Sequence, residues 1–398
     1  MPQQDCIVVG AGPAGLMLGL LLARAGVAVT VLEKHQDFLR DFRGDTIHPS
    51  TMETMAQLGL LDEFLTLPHQ KAPTLHATIG GKTATIADFS RLPTRCKYIA
   101  FMPQWDFLDF LARKAKAYPG FRLAMSCETI GLVERDGAVR GVTVRDADGT
   151  VRELEASLVV GADGRDSIVR RTAGMEVEDL GSAVDVLWMK VSRQADDPAQ
   201  SMGHAGPNQG LVLIDRGDYW QVGYVIAKGG LRQVKQEGLP ALRARLAAVA
   251  PLPASRFEEL TDWNQIHLLK VRVDCLRQWW KPGVLCIGDA AHAMSPIGGV
   301  GVNLAIQDAV AAANIMAAPL REGRLTTAHL RAVQKRRNFP TRATQKVQLM
   351  MRRRRKPTAA RATGGPPAFM RLIARSRLLP HLTGRLIGLG FRPERVRG

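Results

Sequence analysis

The opening of the chain, DCIVVGAGPAGLMLGLLLARAGVAVTVLEK, passes from an apolar run to a glycine turn and then to helical spacing. Residues 7–9 are uniformly apolar, and residues 16–24 place apolar side chains at helical intervals. Gly26 follows as a helix terminator, and residues 27–32 are rich in β-branched side chains. This order predicts a strand, a turn, a helix and a second strand, which together make a βαβ unit.

The middle of the chain alternates apolar and polar residues with the period of a strand. Residues 73–96 contain alternating, Thr-rich segments that predict a hairpin turning at Gly80 and Gly81. Residues 183–227 alternate as in an antiparallel sheet, and a helical pattern covers about residues 231–250. These segments predict a sheet-rich region with a helix beside it.

Other helix and strand patterns flank this region. An amphipathic pattern over residues 104–117 predicts a helix, and short strands are expected through residues 121–160. The apolar run VLCIG leads into a glycine loop and then into an Ala-rich helix over residues 303–318. Together with the opening βαβ unit, the pattern predicts an α/β fold with two interlocked domains.

Composition narrows the class of protein. The chain has 398 residues, of which 46% are hydrophobic and 23% charged, as in ordinary globular enzymes. Its five cysteines form no C-x-x-C pair, so we expect reduced thiols, a cytoplasmic protein and no metal site. No apolar run reaches the roughly 18 residues of a membrane span, and no basic segment precedes the first one as in a signal peptide.

The net charge of +17 is concentrated at the end of the chain. Residues 331–398 contain 19 Lys and Arg but a single acid, Glu394, while the preceding residues are almost neutral. We weigh three interpretations: nucleic-acid binding, which we disfavour because no recognition fold is visible; a solvated helical cap; and peripheral contact with the inner face of the membrane. Residues 369–391 interleave Leu, Ile and Phe with Arg, as interfacial helices do.

A G-x-G-x-x-G turn stands between the first predicted strand and the first predicted helix. Gly10 permits the tight turn, Gly12 lets the backbone approach a pyrophosphate, and Gly15 allows the helix to pack closely on the strand. The helix start at Pro13 and Ala14 offers free amides and a partial positive charge to phosphates. The turn therefore predicts a dinucleotide site, and a helix-start turn without a ligand is the alternative.

An acidic residue stands where the ribose of a dinucleotide is expected. Glu33, followed by Lys34, lies at the end of the strand after the helix, eighteen residues beyond Gly15. A carboxylate at this position can accept hydrogen bonds from both ribose hydroxyls. We therefore predict that both residues belong to the dinucleotide site.

Two later motifs identify the kind of nucleotide protein. GADGRDS occupies residues 161–167, and GDAAHAMSPIGGVGVNLAIQD occupies residues 288–308. With the glycine turn, these motifs have the order and spacing of the class A flavoprotein monooxygenases, and residues 5 to about 320 resemble the para-hydroxybenzoate hydroxylase type. The resemblance implies FAD as cofactor and NADPH or NADH as co-substrate. It also implies a Rossmann-type FAD-binding domain interleaved with a mixed or antiparallel-sheet substrate domain.

The resemblance suggests a division of the chain into three parts. These are an FAD-binding domain (1–72, 97–180 and 271–330), a substrate-binding sheet domain (73–96 and 181–270) and a basic helical tail (331–398). The sequence does not predict an oligomeric state.

The third motif carries the residues that the resemblance places nearest the flavin. Asp289 matches the aspartate that holds the ribityl and pyrophosphate part of FAD, with a turn or helix-capping role as the alternative. Gly299, Val302 and Asn303 match the segment whose backbone amides reach the isoalloxazine ring. Amides at a helix start would stabilise negative charge that develops on the flavin.

Three further FAD contacts are implied elsewhere. Asp163 belongs to the second motif, with helix capping as its alternative role, and Gln104 matches a glutamine on the adenosine side. Arg43 matches an arginine that lies against FAD, with a surface ion pair to Asp41 or Asp45 as the alternative. The family places a basic residue two positions before this arginine, and here that position is Asp41, so the pyrophosphate contacts differ from the family pattern.

The resemblance implies hydroxylation of an electron-rich aromatic or lipophilic small molecule through a C4a-hydroperoxyflavin. The substrate would lie between the flavin and the predicted sheet, where strand periodicity does not decide which large side chains face it: Trp188, Met189, Tyr219, Trp220 and Tyr224. We assign no catalytic base. His48 is the one candidate for proton transfer, and His292 is expected to pack or to bond the backbone.

Three alternatives to a monooxygenase share an FAD domain of this kind. Flavin-dependent halogenases carry a W-x-W-x-I-P segment, which this sequence lacks. Reductases of prenyl or other unsaturated lipids share the glycine turn but insert no oxygen. A non-catalytic, membrane-associated flavin sensor is the third alternative.

Overall fold

A computed structural model describes residues 4–39, 46–79, 82–197, 202–206, 209–353 and 376–397. Arg43 and the turn expected at Gly80 and Gly81 lie outside these ranges.

The described part of the chain contains nine α-helices and twenty-one strands. The helices are α1 Pro13–Arg24, α2 Pro49–Gln57, α3 Leu61–Phe64, α4 Gln104–Ala115, α5 Ile168–Thr172, α6 Leu231–Ala247, α7 Val300–Arg321, α8 Thr327–Arg353 and α9 Leu379–Leu389. The strands are β1 Gln4–Val9, β2 Val29–Leu32, β3 Thr46–Ile47, β4 Gln70–Ala72, β5 Thr74–Ile79, β6 Lys82–Asp88, β7 Ile99–Phe101, β8 Phe121–Ala124, β9 Glu128–Arg135, β10 Ala138–Arg145, β11 Val151–Gly161, β12 Val177–Asp179, β13 Val184–Ser192, β14 Met202–Gly206, β15 Gln209–Asp215, β16 Tyr219–Ala227, β17 His267–Leu269, β18 Asp274–Leu276, β19 Trp280–Lys281, β20 Val284–Cys286 and β21 His292–Ala293.

The first large sheet has the order β19-β20-β11-β1-β2-β8, and all neighbours from β20 to β8 run in parallel. β9 and β10 extend from β11 as an antiparallel hairpin. Helix α1 packs against both α4 and α7. The central strands are buried on both faces, so their side chains are continuously apolar. This arrangement is the predicted Rossmann-type α/β fold, which is confirmed.

The second large sheet has the order β17-β13-β16-β15-β14-β5-β6. It is antiparallel except between β14 and β5, and it joins strands from two distant parts of the chain. One face is covered by α6, which a kink at Gly238 divides, and by the turn Ala254–Glu259. On the other face, Trp188 and Ile214 pack in a cluster with Phe101 of β7 and Leu389 of α9.

The basic end of the chain is built into the fold. Helix α8 begins before the boundary predicted from charge at residue 331, and it packs on α7. The buried side chain of Gln345 donates to the carbonyl oxygens of Asp274 (2.8 Å) and Ala293 (3.0 Å). Such bonds satisfy buried polar groups, which places α8 in the core and not in a separate tail.

Helix α9 returns to the front of the molecule and packs on β6 and α2. The hydroxyl of Thr383 donates to the carbonyl oxygen of Ile86. A Cβ atom at Gly384 would overlap the carbonyl oxygen of Asp88, so only glycine lets the helix lie this close to the strand. The segment expected to meet a membrane is therefore docked along one side in the described part of the chain.

One helical stretch among the described residues, Ile297–Arg321, is long and apolar enough to cross a membrane, with a mean hydropathy of 1.3. It contains α7, and 72% of this apolar window is buried inside the fold. A helix that is apolar on all sides is expected in the interior of a large domain.

Candidate FAD site

The glycine turn has the geometry that a bound dinucleotide requires. Gly10 has a φ of 99°, and a Cβ atom there would lie 2.6 Å from the carbonyl oxygen of Ala162. A Cβ atom at Gly15 would overlap the carbonyl oxygen of Gly10, so the helix can lie on the turn only with glycine. Beside Gly12 there is open space, and no side chain caps the start of α1 at this residue. The amides at the start of α1 are thus available to a phosphate.

Glu33 lies at the end of β2 and reaches the glycine turn. Its Oε2 atom accepts a hydrogen bond from the amide of Ala11 (3.1 Å), and its Oε1 atom accepts one from the amide of His35 (3.1 Å). These two bonds hold the carboxylate in one orientation beside the turn. Lys34 is exposed beside it.

The second motif follows β11 and lies against the glycine turn. Asp163 accepts hydrogen bonds through Oδ2 from the amides of Ile168 (2.7 Å) and Val169 (3.3 Å). It therefore supports the start of α5, which is the capping role considered as the alternative. Its Oδ1 atom is buried and has no hydrogen-bond partner among the described residues. Burial raises the pKa of Asp163, although bonds to Ser167 and to these amides oppose the shift.

The third motif begins between two helices. A Cβ atom at Gly288 would lie 3.1 Å from the Cβ of Ala14 on α1 and 3.3 Å from that of Ala305 on α7. The next residue, Asp289, forms an ion pair with Arg165 of the second motif (Oδ2 to Nε, 2.9 Å). The Nη1 atom of Arg165 is buried without a partner in the described structure.

Arg165 resolves an electrostatic difficulty in the sequence prediction. A carboxylate beside the phosphates of FAD would be repelled, but the guanidinium neutralises Asp289 and leaves donors over for an acceptor ligand. Sequence reasoning missed this residue. The single arginine within DGRDS was a signal, but its partner lies 124 positions away.

The glycine loop of the third motif leads directly into α7. Gly298 and Gly299 both have positive φ values, 80° and 63°, and α7 starts at the next residue. Val302 is half-buried in the first turn of the helix, and Asn303 is buried. The Oδ1 atom of Asn303 accepts hydrogen bonds from Ser50 (2.5 Å) and Thr51 (3.2 Å), which fixes α2 against the start of α7.

Both ring nitrogens of His48, the candidate for proton transfer, contact backbone carbonyl oxygens. It is the N-terminal boundary residue of α2 and is completely buried. Its Nδ1 atom lies 2.8 Å from the carbonyl oxygen of Ile387, and its Nε2 atom lies 3.0 Å from that of Gly299. Burial lowers the pKa of His48, while the two carbonyl contacts act in the opposite direction.

Gln104, half-buried, is the first residue of α4.

A buried ionic network stands behind the third motif, and sequence reasoning missed it. Asp308 on α7 accepts hydrogen bonds from His292 (Nε2, 2.6 Å), from the amide of Gly288 (3.1 Å) and from Arg337 on α8 (Nε, 2.8 Å). Glu394 accepts from the Nη1 atom of Arg337 (3.4 Å). The role expected for His292 was packing or backbone bonding, whereas its Nε2 atom bonds a carboxylate.

The large side chains of the second sheet divide between its two faces. Met189, Trp220 and Tyr224 belong to the apolar cluster under α6. Trp188 points to the opposite face, where it packs near Phe101 and the end of α9. Tyr219 lies on that side also, with the ammonium of Lys190 4.8 Å from its ring centre.

The three motifs meet at one place, since Gly10 touches the second motif, Gly288 touches α1 and Arg165 binds Asp289. Open space lies beside Gly12 and Gly301, at the starts of α1 and α7. The two helix starts suit the phosphates and the ring of a dinucleotide, and the acidic group at the end of β2 suits its ribose. The unpartnered buried polar atoms offer further hydrogen bonds to such a ligand. The residues present fit FAD.

Comparison with known proteins decides the family. A family model described as an FAD binding domain matches residues 3–347, which is most of the chain. The chain belongs to this family. Its members include the para-hydroxybenzoate hydroxylase type of class A flavin monooxygenases, and the predicted resemblance is confirmed. The chain is an FAD-dependent oxidoreductase of the monooxygenase class.

Individual relatives agree with this class. The chain is 34% identical over 375 residues to a 6-methylpretetramide 4-monooxygenase from Streptomyces rimosus, covering 94% of this chain and 89% of the relative. It is 33% identical over 321 residues to a rifampicin monooxygenase from Streptomyces venezuelae, covering 77% of this chain and 62% of that longer protein. A p-nitrophenol 4-monooxygenase from Pseudomonas putida shares the fold, with a TM-score of 0.77, 21% identity and coverage of 98% and 99%.

Proposed function

We propose that the chain hydroxylates an electron-rich aromatic or lipophilic small molecule, with NADPH or NADH as the electron donor. The observation that carries the proposal is the meeting of the three motifs, joined by the Arg165–Asp289 ion pair, in a chain that also has a second, mostly antiparallel sheet. Bound FAD supplies the electron transfer and oxygen activation. The protein binds, orients and shields the reactants from water.

The proposed FAD contacts cover the cofactor from the adenosine to the ring. The starts of α1 and α7 would face the pyrophosphate and the ring, respectively, and their helix dipoles favour negative charge there. Contacts are proposed for Gly10, Gly12, Pro13, Ala14, Gly15, Glu33, Lys34, Arg43, Gln104, Asp163, Asp289, Gly299, Val302 and Asn303. We also propose that 1–72, 97–180 and 271–330 bind FAD and that 73–96 and 181–270 bind the substrate.

An aromatic substrate is supported by Trp188, on the face of the second sheet opposite α6. The ring of Trp188 lies over Gly223, within 2.8–2.9 Å of where a Cβ atom would be. Its indole Nε1 atom is buried and has no partner among the described residues. A planar substrate with an acceptor oxygen could meet the edge of this ring and receive the indole hydrogen bond. Relatives named for aromatic compounds, 6-methylpretetramide and rifampicin, agree with this class.

The proposal is tested by supplying the FAD-loaded enzyme with NADPH or NADH and a panel of phenols and fused aromatic compounds. Oxidation of the nicotinamide and oxygen uptake are recorded for each compound. We expect at least one aromatic compound to accelerate both oxidation of the nicotinamide and oxygen uptake. Anaerobic reduction of an unsaturated lipid instead would indicate a reductase. Slow oxidation that no compound stimulates would favour a flavin sensor.

Peripheral membrane contact is a second proposal, supported by the outer side of α9. Leu378 and Leu382 are one helical turn apart and are 62% and 61% exposed, and Arg377 and Arg385 are exposed beside them. Apolar residues flanked by arginines suit an anionic lipid surface. Co-sedimentation with anionic vesicles should fall when both leucines are replaced by serine, and unchanged binding would contradict this contact.

A further inference from the structure

The carbonyl oxygen of Gly299 is held by two side chains that come from one short segment. The hydroxyl of Thr46 donates to this oxygen (3.0 Å), and the Nε2 atom of His48 lies 3.0 Å from it. A Cβ atom at Gly299 would lie 3.1 Å from the Cβ of Thr46 and closer still to its hydroxyl. The backbone between the glycine loop and α7 is thus enclosed on this side.

A held carbonyl also determines where the following amide points. The peptide between Gly299 and Val300 is planar and trans, so its N–H group is directed away from the C=O group. Val300 is the first residue of α7, where backbone amides have no partner within the helix. Fixing the carbonyl against the segment around His48 therefore turns an unpaired amide to the opposite side, which is where we place the flavin ring.

The same imidazole contacts the C-terminal helix. Its Nδ1 atom lies 2.8 Å from the carbonyl oxygen of Ile387, in the last turn of α9, where carbonyl groups also lack partners within the helix. Both neighbours of the ring are hydrogen-bond acceptors, so the ring donates to both only as the imidazolium, and a neutral ring donates to one of them. The neighbouring Leu389 is buried in the cluster that includes Phe101. His48 therefore stands between the glycine loop and the end of α9.

We propose that His48 is a positioning residue that fixes the Gly299–Val300 peptide for the flavin and makes its orientation depend on the docking of α9. The inference rests on the proposed placement of the flavin ring at the start of α7. It assigns to the C-terminal helix, 339 positions from His48, a part in FAD binding.

Replacing His48 by glutamine or by asparagine, whose side chains differ in length, tests its two contacts one at a time. The amide nitrogen of glutamine can take the place of Nε2 and donate to Gly299, whereas that of asparagine can take the place of Nδ1 and donate to Ile387. The FAD dissociation constant is measured for the parent, His48→Ala, His48→Gln and His48→Asn, without substrate or nicotinamide. The thermal midpoint of each protein is measured with and without FAD.

We expect His48→Ala to bind FAD about tenfold more weakly, the size of one lost buried hydrogen bond. His48→Gln should recover most of this affinity and the FAD-induced rise of the thermal midpoint. His48→Asn should recover stability of the FAD-free protein but not FAD affinity. Equal affinity in parent and His48→Ala, or recovery by asparagine as complete as by glutamine, would overturn the proposal.

Displacing α9 from its far side tests the second half of the inference. Gly384→Ala forces the helix away from the carbonyl oxygen of Asp88 without touching the glycine loop. The substitution should weaken FAD binding in the parent by severalfold and have little effect in the His48→Ala protein, because the connection is already broken. Equal loss in both proteins would overturn the coupling. Neither experiment requires oxygenation, so a failed hydroxylation assay leaves both results interpretable.

Discussion

Replacing Arg337 by glutamine should destabilise the whole fold, although this residue lies in the most basic part of the sequence. The side chain is 1% exposed, and its Nε atom lies 2.8 Å from Oδ1 of Asp308, which is completely buried. Removing the guanidinium leaves a buried carboxylate with His292 as its remaining side-chain partner. A charge that loses its partner in the interior keeps its desolvation cost.

The size of the effect follows from this burial. Breaking a buried ion pair by removing one partner costs about 3–5 kcal/mol. At about 2.1 cal/mol/K per residue, a chain of 398 residues has an unfolding entropy of roughly 0.8 kcal/mol/K at its thermal midpoint. The shift of the midpoint is the lost free energy divided by this entropy. The thermal midpoint of Arg337→Gln should therefore fall by about 4–6 °C.

The neighbouring arginine provides the control. Arg336 is 46% exposed and pairs with Glu394 (2.7 Å), so the same change to glutamine should cost less than about 1 kcal/mol and lower the midpoint by about 1 °C or less. Differential scanning calorimetry of the FAD-free proteins at pH 7 measures both. Equal midpoints for the two variants would show that the network around Asp308 does not support the fold and would refute the reasoning.

Three further results are expected. Burial would raise the pKa of Asp308, but its ion-pair partners hold that pKa below the ordinary value of about 4. The stabilisation by the ionised carboxylate is therefore complete above about pH 4 and is lost as the pH falls through the lowered pKa. Calorimetry should show the difference in thermal midpoint between the parent and Arg337→Gln narrowing below about pH 4. Asp289→Ala should weaken FAD binding by roughly tenfold or more, measured by flavin fluorescence titration, and unchanged affinity would remove this residue from the site. Gly299→Ala should lower FAD affinity, whereas Gly323→Ala, with a nearly identical φ (64° against 63°) and no neighbouring atom, should leave it unchanged.

The sequence predicts those parts of the site that are continuous along the chain. The glycine turn and the glycine loop before α7 each consist of neighbouring residues whose backbone requirements are local, so their patterns predict their geometry. Glu33 is predicted because it ends the strand of the same βαβ unit. The helix expected over residues 303–318 occurs as Val300–Arg321, extended by one turn or less at each end. The fold class follows from the same local patterns.

Contacts between distant segments could not be predicted in this way. His48 meets carbonyl groups 251 and 339 positions away, and no periodicity relates them. The alternation of β13 shows that Trp188 and Met189 face opposite sides, but not which side carries α6. Glu394, the single acid among 19 basic residues of the C-terminal segment, was a signal for docking, because its carboxylate binds Arg336 and Arg337.

Oxygen insertion is the central claim, and isotope labelling tests it most directly. The FAD-loaded enzyme would be supplied with NADPH or NADH, an aromatic compound that stimulates its oxidation, and ¹⁸O₂, and the product would be analysed by mass spectrometry. We expect one oxygen atom from O₂ in the product. A reduced product, or a hydroxylated product whose oxygen comes from water, would contradict the account.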